Sequence, residues 1–364
     1  MKPIPYKEDR YLMSDLAYVI DKLKTRQTLT GTELVSLISS TDESIWQKVY
    51  AVADQIRQEY VGDDVHLRGL LEFSNICKRN CSYCGLRKNN RDQIRYRMQP
   101  SDIIEQAQRI ASYGIKTVVL QSGEDAFYSL DMLTHIIRSI KQTADIAITL
   151  SIGERTKDDY RTLREAGADR YLLRHETASK ELYEKLHPDS KYEERIRCIE
   201  DLFDVGFQVG IGSMVGLPGQ TAGDLAEDIL LIQKYQPDMI GIGPFIPHQD
   251  TPIGQADSGT IEDTLKIVSL ARIVCPTAHI PATTATGTID YYGREKALHA
   301  GANVVMPNFT PQSYRVHYNI YPNKRCIDEE GHKCNFCIRA MIVREGRTVG
   351  TGYGHAIRFK HNTG

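Results

Sequence analysis

From residue 65 onward the chain repeats one rhythm: a short apolar run, a polar or glycine-containing turn, then apolar residues at helical spacing. The runs are VHLRGLLEFS (65–74), TVVLQSG (117–123), AITLSIG (147–153), RYLLRHE (170–176), QVGIGSMVG (208–216), MIGIGPF (239–245), HIPATTA (279–285) and NVVMPN (303–308). Between them lie helical stretches such as SDIIEQAQRIASYG (101–114) and DLAEDILLIQKY (224–235). Such alternation predicts parallel strands joined by crossover helices. Eight units are the number that closes a ring, so the pattern predicts an α/β fold, a (β/α)8 barrel of the TIM type over residues 61–315. An open doubly wound sheet is the alternative. Residues 1–60 read as a helical extension: Leu34, Leu37 and Ile38, then Ile45, Val49, Val52 and Ile56, recur at helical spacing, with Thr30 or Thr32 as N-cap and Glu33 in the first turn. From 316 to 364 the rhythm is lost, giving a C-terminal extension.

Polar residues gather at the ends of the apolar runs: Ser74, Gln121, Ser122, Ser151, Arg174, His175, Glu176, Ser213, Thr283, Thr284 and Asn308. In a barrel these ends share one face, so apolar strands ending in convergent polar groups describe a pocket. Composition narrows its partners. Lys+Arg 45 against Asp+Glu 47 leaves a net charge of −2, with no general attraction to nucleic acid or to an anionic membrane. No apolar stretch resembles a signal peptide or is long enough to span a bilayer, so a cytoplasmic location is expected. In that reducing setting eight cysteines point to metal or catalysis in preference to disulfides.

Three of the cysteines lie close together after the first run, in Ser-Asn-Ile-Cys-Lys-Arg-Asn-Cys-Ser-Tyr-Cys-Gly at 74–85. Cys77, Cys81 and Cys84 can ligate three irons of a [4Fe–4S] cube, leaving the fourth open. Structural zinc is the competing reading, but it wants four ligands, and the nearest histidine, His66, is in the strand. This C-x₃-C-x₂-C loop after the first strand, with Tyr83 before the last cysteine, resembles the radical S-adenosylmethionine (SAM) superfamily. The stretches LEFSNICKRNCSYCGLRKNN, VVLQSGED, DRYLLRHETA, GSMVGLPGQT, GIGPFIPHQDTP, IPATTATGT and GANVVMPN resemble, within it, the [FeFe]-hydrogenase maturases.

The resemblance implies that SAM chelates the open iron and is reductively cleaved to a 5′-deoxyadenosyl radical. It implies SAM contacts from Tyr83, Gln121, Ser122, Gly123, Glu124, Glu176 and Arg195, with Arg195 on the carboxylate and Ser122-Gly123-Glu124 near the amino group. Arg174 or Arg195 is expected to partner Glu176. Arg174, Thr283, Thr284 and Tyr314 are the implied substrate residues, His175 a supporting histidine, and His248 and Asp250 residues lining the barrel top. The substrate implied is a small organometallic cysteinate–iron species, or another thiol or thioether, used in assembling the hydrogenase H-cluster diiron site. The implied partners are a reductant protein and other hydrogenase maturases. A second group, Cys326, Cys334 and Cys337, resembles an auxiliary [2Fe–2S] or [4Fe–4S] site, with His332 as a local fourth ligand and zinc as the alternative. Cys198 and Cys275 are expected to be small buried apolar residues. An amino-acid mutase of the methylornithine synthase type and a non-catalytic Fe–S scaffold are the other functions weighed.

Overall fold

The computed structural model describes residues 16–325, 327 and 331–360. Six strands form one parallel sheet in chain order: Gly69–Ser74, Thr117–Ser122, Ala147–Ser151, Arg170–Leu172, Gln208–Ile211 and Met239–Ile240. Two further segments close it. His279 bridges to Met239, Pro281 to Val304 and Asn308 to Leu70, all in parallel. The closing bonds are ordinary ones: Ile240 N–H to His279 O at 3.0 Å, Ala282 N–H to Val304 O at 2.9 Å and Phe309 N–H to Leu70 O at 2.8 Å. Eight parallel segments therefore complete a ring, and the open-sheet alternative falls away.

Two of the apolar runs behave differently from the prediction. The first breaks at Arg68: Asp64–Leu67 pairs with Val304–Val305 and Thr348–Gly350 in a small parallel sheet, and only Gly69–Ser74 enters the barrel proper. The seventh, 279–285, is barely a strand. Pro281 has no N–H for the ladder, and Thr283 caps the helix Thr284–Ile289 by accepting from Thr286 N–H at 3.3 Å. Threonine favours both strands and N-caps, and here the cap prevails.

Strand residues alternate between two environments. Leu71 and Phe73, Val118 and Leu120, and Ile148 and Leu150 join the core between strands and helices. Their neighbours Glu72, Val119, Gln121, Thr149 and Ser151 consequently face the barrel interior. The outer core is continuous with the extensions, running from Val19 to Ile342. Its N-terminal part includes a capping box at Thr30 and Glu33 and the helix Glu43–Val61 packed on Ile261–Val274. The barrel floor is closed by the C-terminal tail. Tyr353 O accepts from Arg170 Nη2 at 2.7 Å and Thr117 Oγ1 at 2.8 Å, and Ala356 N–H donates to Gln208 Oε1 at 2.9 Å. No helix among the described residues is long and apolar enough to cross a membrane.

Candidate active site at the barrel mouth

Cys77, Cys81 and Cys84 lie on the loop leaving the first barrel strand, each partly buried. Ser74 Oγ donates to Asp125 at 2.7 Å, Ser82 N–H to Leu186 O at 2.8 Å and Lys88 N–H to Arg79 O at 2.8 Å, so the loop is tied at its start, middle and end. Gly123 makes this packing feasible: a Cβ there would sit 2.3 Å from Ile76 O and 2.8 Å from Cys77 Cβ. Cys77 Sγ accepts from Arg79 N–H at 3.5 Å and Glu124 N–H at 3.4 Å. Burial, and then the charge of the neighbouring thiols, pushes Cys81 well up and Cys84 to about 12. Three such thiols ionise together only when cations offset both penalties, which fits the donor set of an iron–sulfur cluster. Among the described residues no three His, Cys, Asp or Glu side chains converge as ligands of one ion, so the zinc reading of this loop finds no tetrahedral set.

Tyr83 packs among Leu182, Leu186, Met214, Leu217 and Phe245, with its hydroxyl 3.0 Å from His187 Nε2. Burial, reinforced by the Arg195 charge, lowers the His187 pKa to about 4, so the ring is neutral at pH 7. Nδ1 lies 2.7 Å from Tyr183 O and must carry the proton, so Nε2 accepts from Tyr83.

Behind the loop runs a chain of four alternating charges, each largely buried. Arg79, between the first two cysteines, donates Nε to Glu124 at 2.8 Å and Nη2 to Glu154. Glu154 in turn accepts from Arg195 Nε at 2.7 Å, and Arg195 Nη1 donates to Arg174 O at 2.6 Å. Burial alone would lower the Arg195 pKa; Tyr183, Glu154 and Glu176 outweigh it and hold the guanidinium charged. One expectation for this region changes, and one of two alternatives is decided. Glu124's carboxylate is engaged by Arg79, by Lys78 at 3.4 Å and by Glu154 N–H at 3.2 Å, and Gly123 O by Asp125 N–H at 2.8 Å and Ser122 Oγ at 2.7 Å. The cation beside Glu176 is Arg174, Nε to Oε2 3.5 Å, while Arg195 pairs with Glu154.

Glu176 is held in a left-handed conformation, φ 67°, by its N–H on Gly212 O and its carbonyl under Met214 N–H, both 2.9 Å. Such strain in a non-glycine residue persists only where the surroundings over-determine it. His175 is one reason. Its Nδ1 accepts from Gly212 N–H and its Nε2 lies against Asp228, both at 3.2 Å, with both side chains fully buried. Glu176 Oε2 and Arg174 Nε are both buried without a hydrogen-bond partner, as is Thr149 Oγ1. Such orphaned groups are rare and mark a place where a polar ligand would be satisfied.

Of the substrate candidates, Arg174 and Thr283 come together around the sixth strand. A Cβ on Gly241 would lie 4.0 Å from Arg174 Cδ, and one on Gly243 would lie 3.1 Å from Thr283 Oγ1. Thr284 Oγ1 accepts from Arg294 at 3.4 Å. Tyr314 packs elsewhere: its ring lies tilted at 36° against Tyr96, 5.0 Å between centroids. The tyrosine that reaches the interior is Tyr318, 2% exposed and 3.2 Å from Gln121 Nε2. Sequence reasoning also missed Glu72, hidden in LLEFS, which is ion-paired with Lys324 and accepts from Asn308 at 2.8 Å. It missed Arg79 and Glu154 as well, although both stand at the ends of predicted strands or within the cysteine motif. His248 is buried against Gly85 of the cysteine loop, with Asp250 3.8 Å away. Cys198 and Cys275 are fully buried.

Cys334 is buried and Cys337 exposed on the helix Gly331–Arg344, beside a 230 Å³ cavity also lined by Arg294, Arg325 and Arg344. Cys326 and the His332 side chain lie outside the described residues.

A three-cysteine loop at the mouth of a closed parallel barrel is the construction of radical SAM enzymes, and the sequence profile of the Radical SAM superfamily matches residues 71–232. The [FeFe] hydrogenase maturase subunit HydE of Thermotoga maritima is 48% identical over 92% of this chain and 96% of its own. With that relative, the chain belongs to the HydE family of radical SAM enzymes, whose cofactors are a [4Fe–4S] cluster and SAM. Methylornithine synthase (PylB) superposes with a TM-score of 0.79 at 25% identity, over 91% of this chain and 97% of that one. The maturase HydG of Carboxydothermus hydrogenoformans, with a TM-score of 0.76 at 22% identity over 91% and 78%, shares the fold.

Proposed function

We propose that this protein acts in the cytoplasm in the assembly of the [FeFe]-hydrogenase diiron site, converting a small sulfur-containing, carboxylate-bearing organometallic substrate inside the barrel, alongside other maturases. The observation that supports the reading is at the barrel mouth: by the three-thiol loop, Arg174 and Glu176 form a loose pair at 3.5 Å whose facing atoms, like Thr149 Oγ1, are buried without a hydrogen-bond partner, and the C-terminal tail closes the barrel floor. Cys77, Cys81 and Cys84 would hold the cluster. Held there beside SAM, the cluster would supply the one-electron reductive cleavage of the sulfonium that defines radical SAM chemistry. Arg195, its Nε fixed by Glu154, offers its remaining donors to the SAM carboxylate in the planar geometry that arginine provides. The backbone carbonyl of Ser122 would accept from the SAM ammonium, and Glu176 from the ribose or ammonium. Deeper in the barrel Arg174 pairs with the substrate carboxylate, and the Thr283 and Tyr318 hydroxyls and the Gln121 amide orient it. The tail-closed floor keeps water from entering the barrel interior from below.

The auxiliary cysteines would hold a further [2Fe–2S] or [4Fe–4S] cluster away from this chamber. Identity of 48% to a hydrogenase maturase over nearly the whole chain favours maturation over the mutase reaction. The test is anaerobic reconstitution with iron, sulfide, SAM and dithionite, with and without the cysteinate–iron species. Formation of 5′-deoxyadenosine with turnover of that species is expected. Retained SAM cleavage in Cys81→Ala would sink the cluster assignment, and cleavage without turnover would sink the maturase assignment alone.

A further inference from the structure

His248, on the loop that follows the sixth barrel strand, is 2% exposed. This loop is tied to the cysteine motif: Ile253 N–H donates to Ser82 O at 3.4 Å, and the side chains of Ile253 and Tyr83 pack on the same apolar cluster. Its turn is held firmly, because Thr251 donates to His248 O through both its N–H, at 3.1 Å, and its hydroxyl, at 2.6 Å. The imidazole lies against Gly85, the residue after Cys84. A Cβ on Gly85 would fall 2.6 Å from His248 Cδ2, 2.7 Å from its Nε2 and 2.1 Å from Asn319 O, so only glycine lets the ring come this close.

The neighbours of the ring fix where its hydrogen sits. Asp250 N–H donates to His248 Nδ1 at 3.2 Å, so Nδ1 is the bare nitrogen and Nε2 carries the hydrogen. The Asp250 carboxylate, 3.8 Å from Nδ1, is beyond hydrogen-bonding reach. Among the described residues Nε2 has no acceptor, although it is buried. Gly85 O beside it is occupied by Asn90 Nδ2 at 2.8 Å. A buried donor without an acceptor is costly, so it marks the place of an acceptor that the protein chain does not itself supply. What this donor adjoins is the cluster loop at its third cysteine.

We propose that His248 Nε2–H donates a hydrogen bond to a sulfur of the [4Fe–4S] cluster held by Cys77, Cys81 and Cys84, and so sets how readily that cluster takes up an electron. The inference rests on the assignment of the cluster to these cysteines and is independent of the substrate. Reduction adds one negative charge, spread over the cluster's sulfurs. A hydrogen bond from outside the ligand shell stabilises that charge and raises the reduction potential. To ligate iron instead, the ring would need a lone pair on Nε2, and the Asp250 contact puts the hydrogen there.

The test uses holoenzyme reconstituted with iron and sulfide and follows the reduced cluster by EPR through a redox titration. The signal that changes on adding SAM identifies the cluster at Cys77, Cys81 and Cys84. His248→Phe keeps a ring and loses the donor. In it the ratio of reduced to oxidised cluster at a fixed potential is expected to fall about tenfold, a shift of about 59 mV to lower potential. His248→Gln, whose amide can donate from nearly the same place, is expected to recover most of that shift. A His248→Phe cluster that titrates as in the wild type overturns the proposal, as does an equal loss in both variants. Should His248→Phe load poorly, wild-type protein isotopically labelled at the histidine ring nitrogens decides. Pulsed EPR of its reduced cluster should show one weakly coupled ring nitrogen that disappears in His248→Gln. No coupling, or one as strong as that of a nitrogen bound to iron, overturns the proposal. Absence of any SAM-responsive cluster would refute the cluster assignment itself, and the proposal with it.

Discussion

Replacing Glu154 by glutamine removes the central anion of the Glu124–Arg79–Glu154–Arg195 chain while preserving its shape. Glu154 is 9% exposed and accepts from Arg79, from Arg195 Nε at 2.7 Å and from Ser190 Oγ at 3.3 Å. SAM carries a sulfonium, an ammonium and one carboxylate, a net charge of +1. Glu154 stands with Glu124 and Glu176 among the cations Lys78, Arg79, Arg174 and Arg195, so losing it removes one negative charge that favours the cationic cofactor. At an effective dielectric of about 20, one unit of charge about 8 Å from the cofactor's cations is worth about 2 kcal/mol, roughly a thirtyfold loss of affinity. Misorientation of Arg195 acts in the same direction. The expected result is a rise of about thirtyfold in the KM for SAM, with kcat for 5′-deoxyadenosine formation within about threefold of wild type. Iron and sulfide content would verify that the variant carries its cluster. A loaded variant whose KM for SAM moves by less than about twofold would refute the reasoning; so would tighter SAM binding, because the sign follows from charge alone.

Three other outcomes are expected. Gly153→Ala places a Cβ 2.0 Å from Glu124 Cγ at a φ of 81°, so Glu124 must leave Arg79; a drop of about 2 kcal/mol in thermal stability and poorer cluster retention should follow, measured by melting and by iron content. Tyr318→Phe should raise the substrate KM about tenfold by removing the hydroxyl beside Gln121, whereas Tyr314→Phe should leave it unchanged; equal effects would contradict the placement of the two rings. His279 is buried beside Arg68 and Arg170, and burial first, then those cations, holds its pKa well below 6.5. The unfolded chain therefore binds a proton below pH 6.5 that the folded one refuses, so stability is full above that pH and falls as pH drops beneath it. Melting temperature should decline from pH 7 to pH 5, and His279→Gln should flatten the decline.

The barrel was legible because it is written in local periodicity. Strands buried on both faces show as continuous apolar runs, and six of the eight appear as strands in place. The seventh failed because Pro281 and Thr283 have meanings that depend on neighbours: a missing ladder donor and a helix cap look like strand residues in a one-dimensional reading. The cysteine loop was legible because its chemistry is packed into eight consecutive residues. The charge chain was not, since Arg79 and Glu154 are 75 positions apart, nor was Glu72 with Lys324, 252 apart. Pairing between such distant residues leaves no trace in spacing. Tyr314 and Tyr318 differ by about one turn of chain, too fine a distinction for residue type to make.

The C-terminal extension, which read as an appendage, accounts for the chamber's other end. Arg68 and Arg170 are buried on the floor, and burial pulls both below the usual arginine range, Arg170 to about 10. Neither is bonded to a carboxylate among the described residues; Arg170 instead donates to Tyr353 O and Thr117 Oγ1, and Arg68 to Gly354 O at 3.3 Å. Backbone carbonyls of the tail thus satisfy cations that water would otherwise reach from below, and His355 seals the gap by contact with Gln208 at 2.8 Å and His279 at 3.2 Å. A barrel open at both ends would admit a column of water to the substrate, and a primary carbon radical has no tolerance for stray partners. Closing the floor with the tail leaves the mouth as the way in, and the cysteine loop stands over it. The same segment that departs from the barrel's sequence rhythm is therefore what makes the barrel a dead-end vessel, and trimming residues 353–360 should cost the coupling between SAM cleavage and product before it costs SAM cleavage itself.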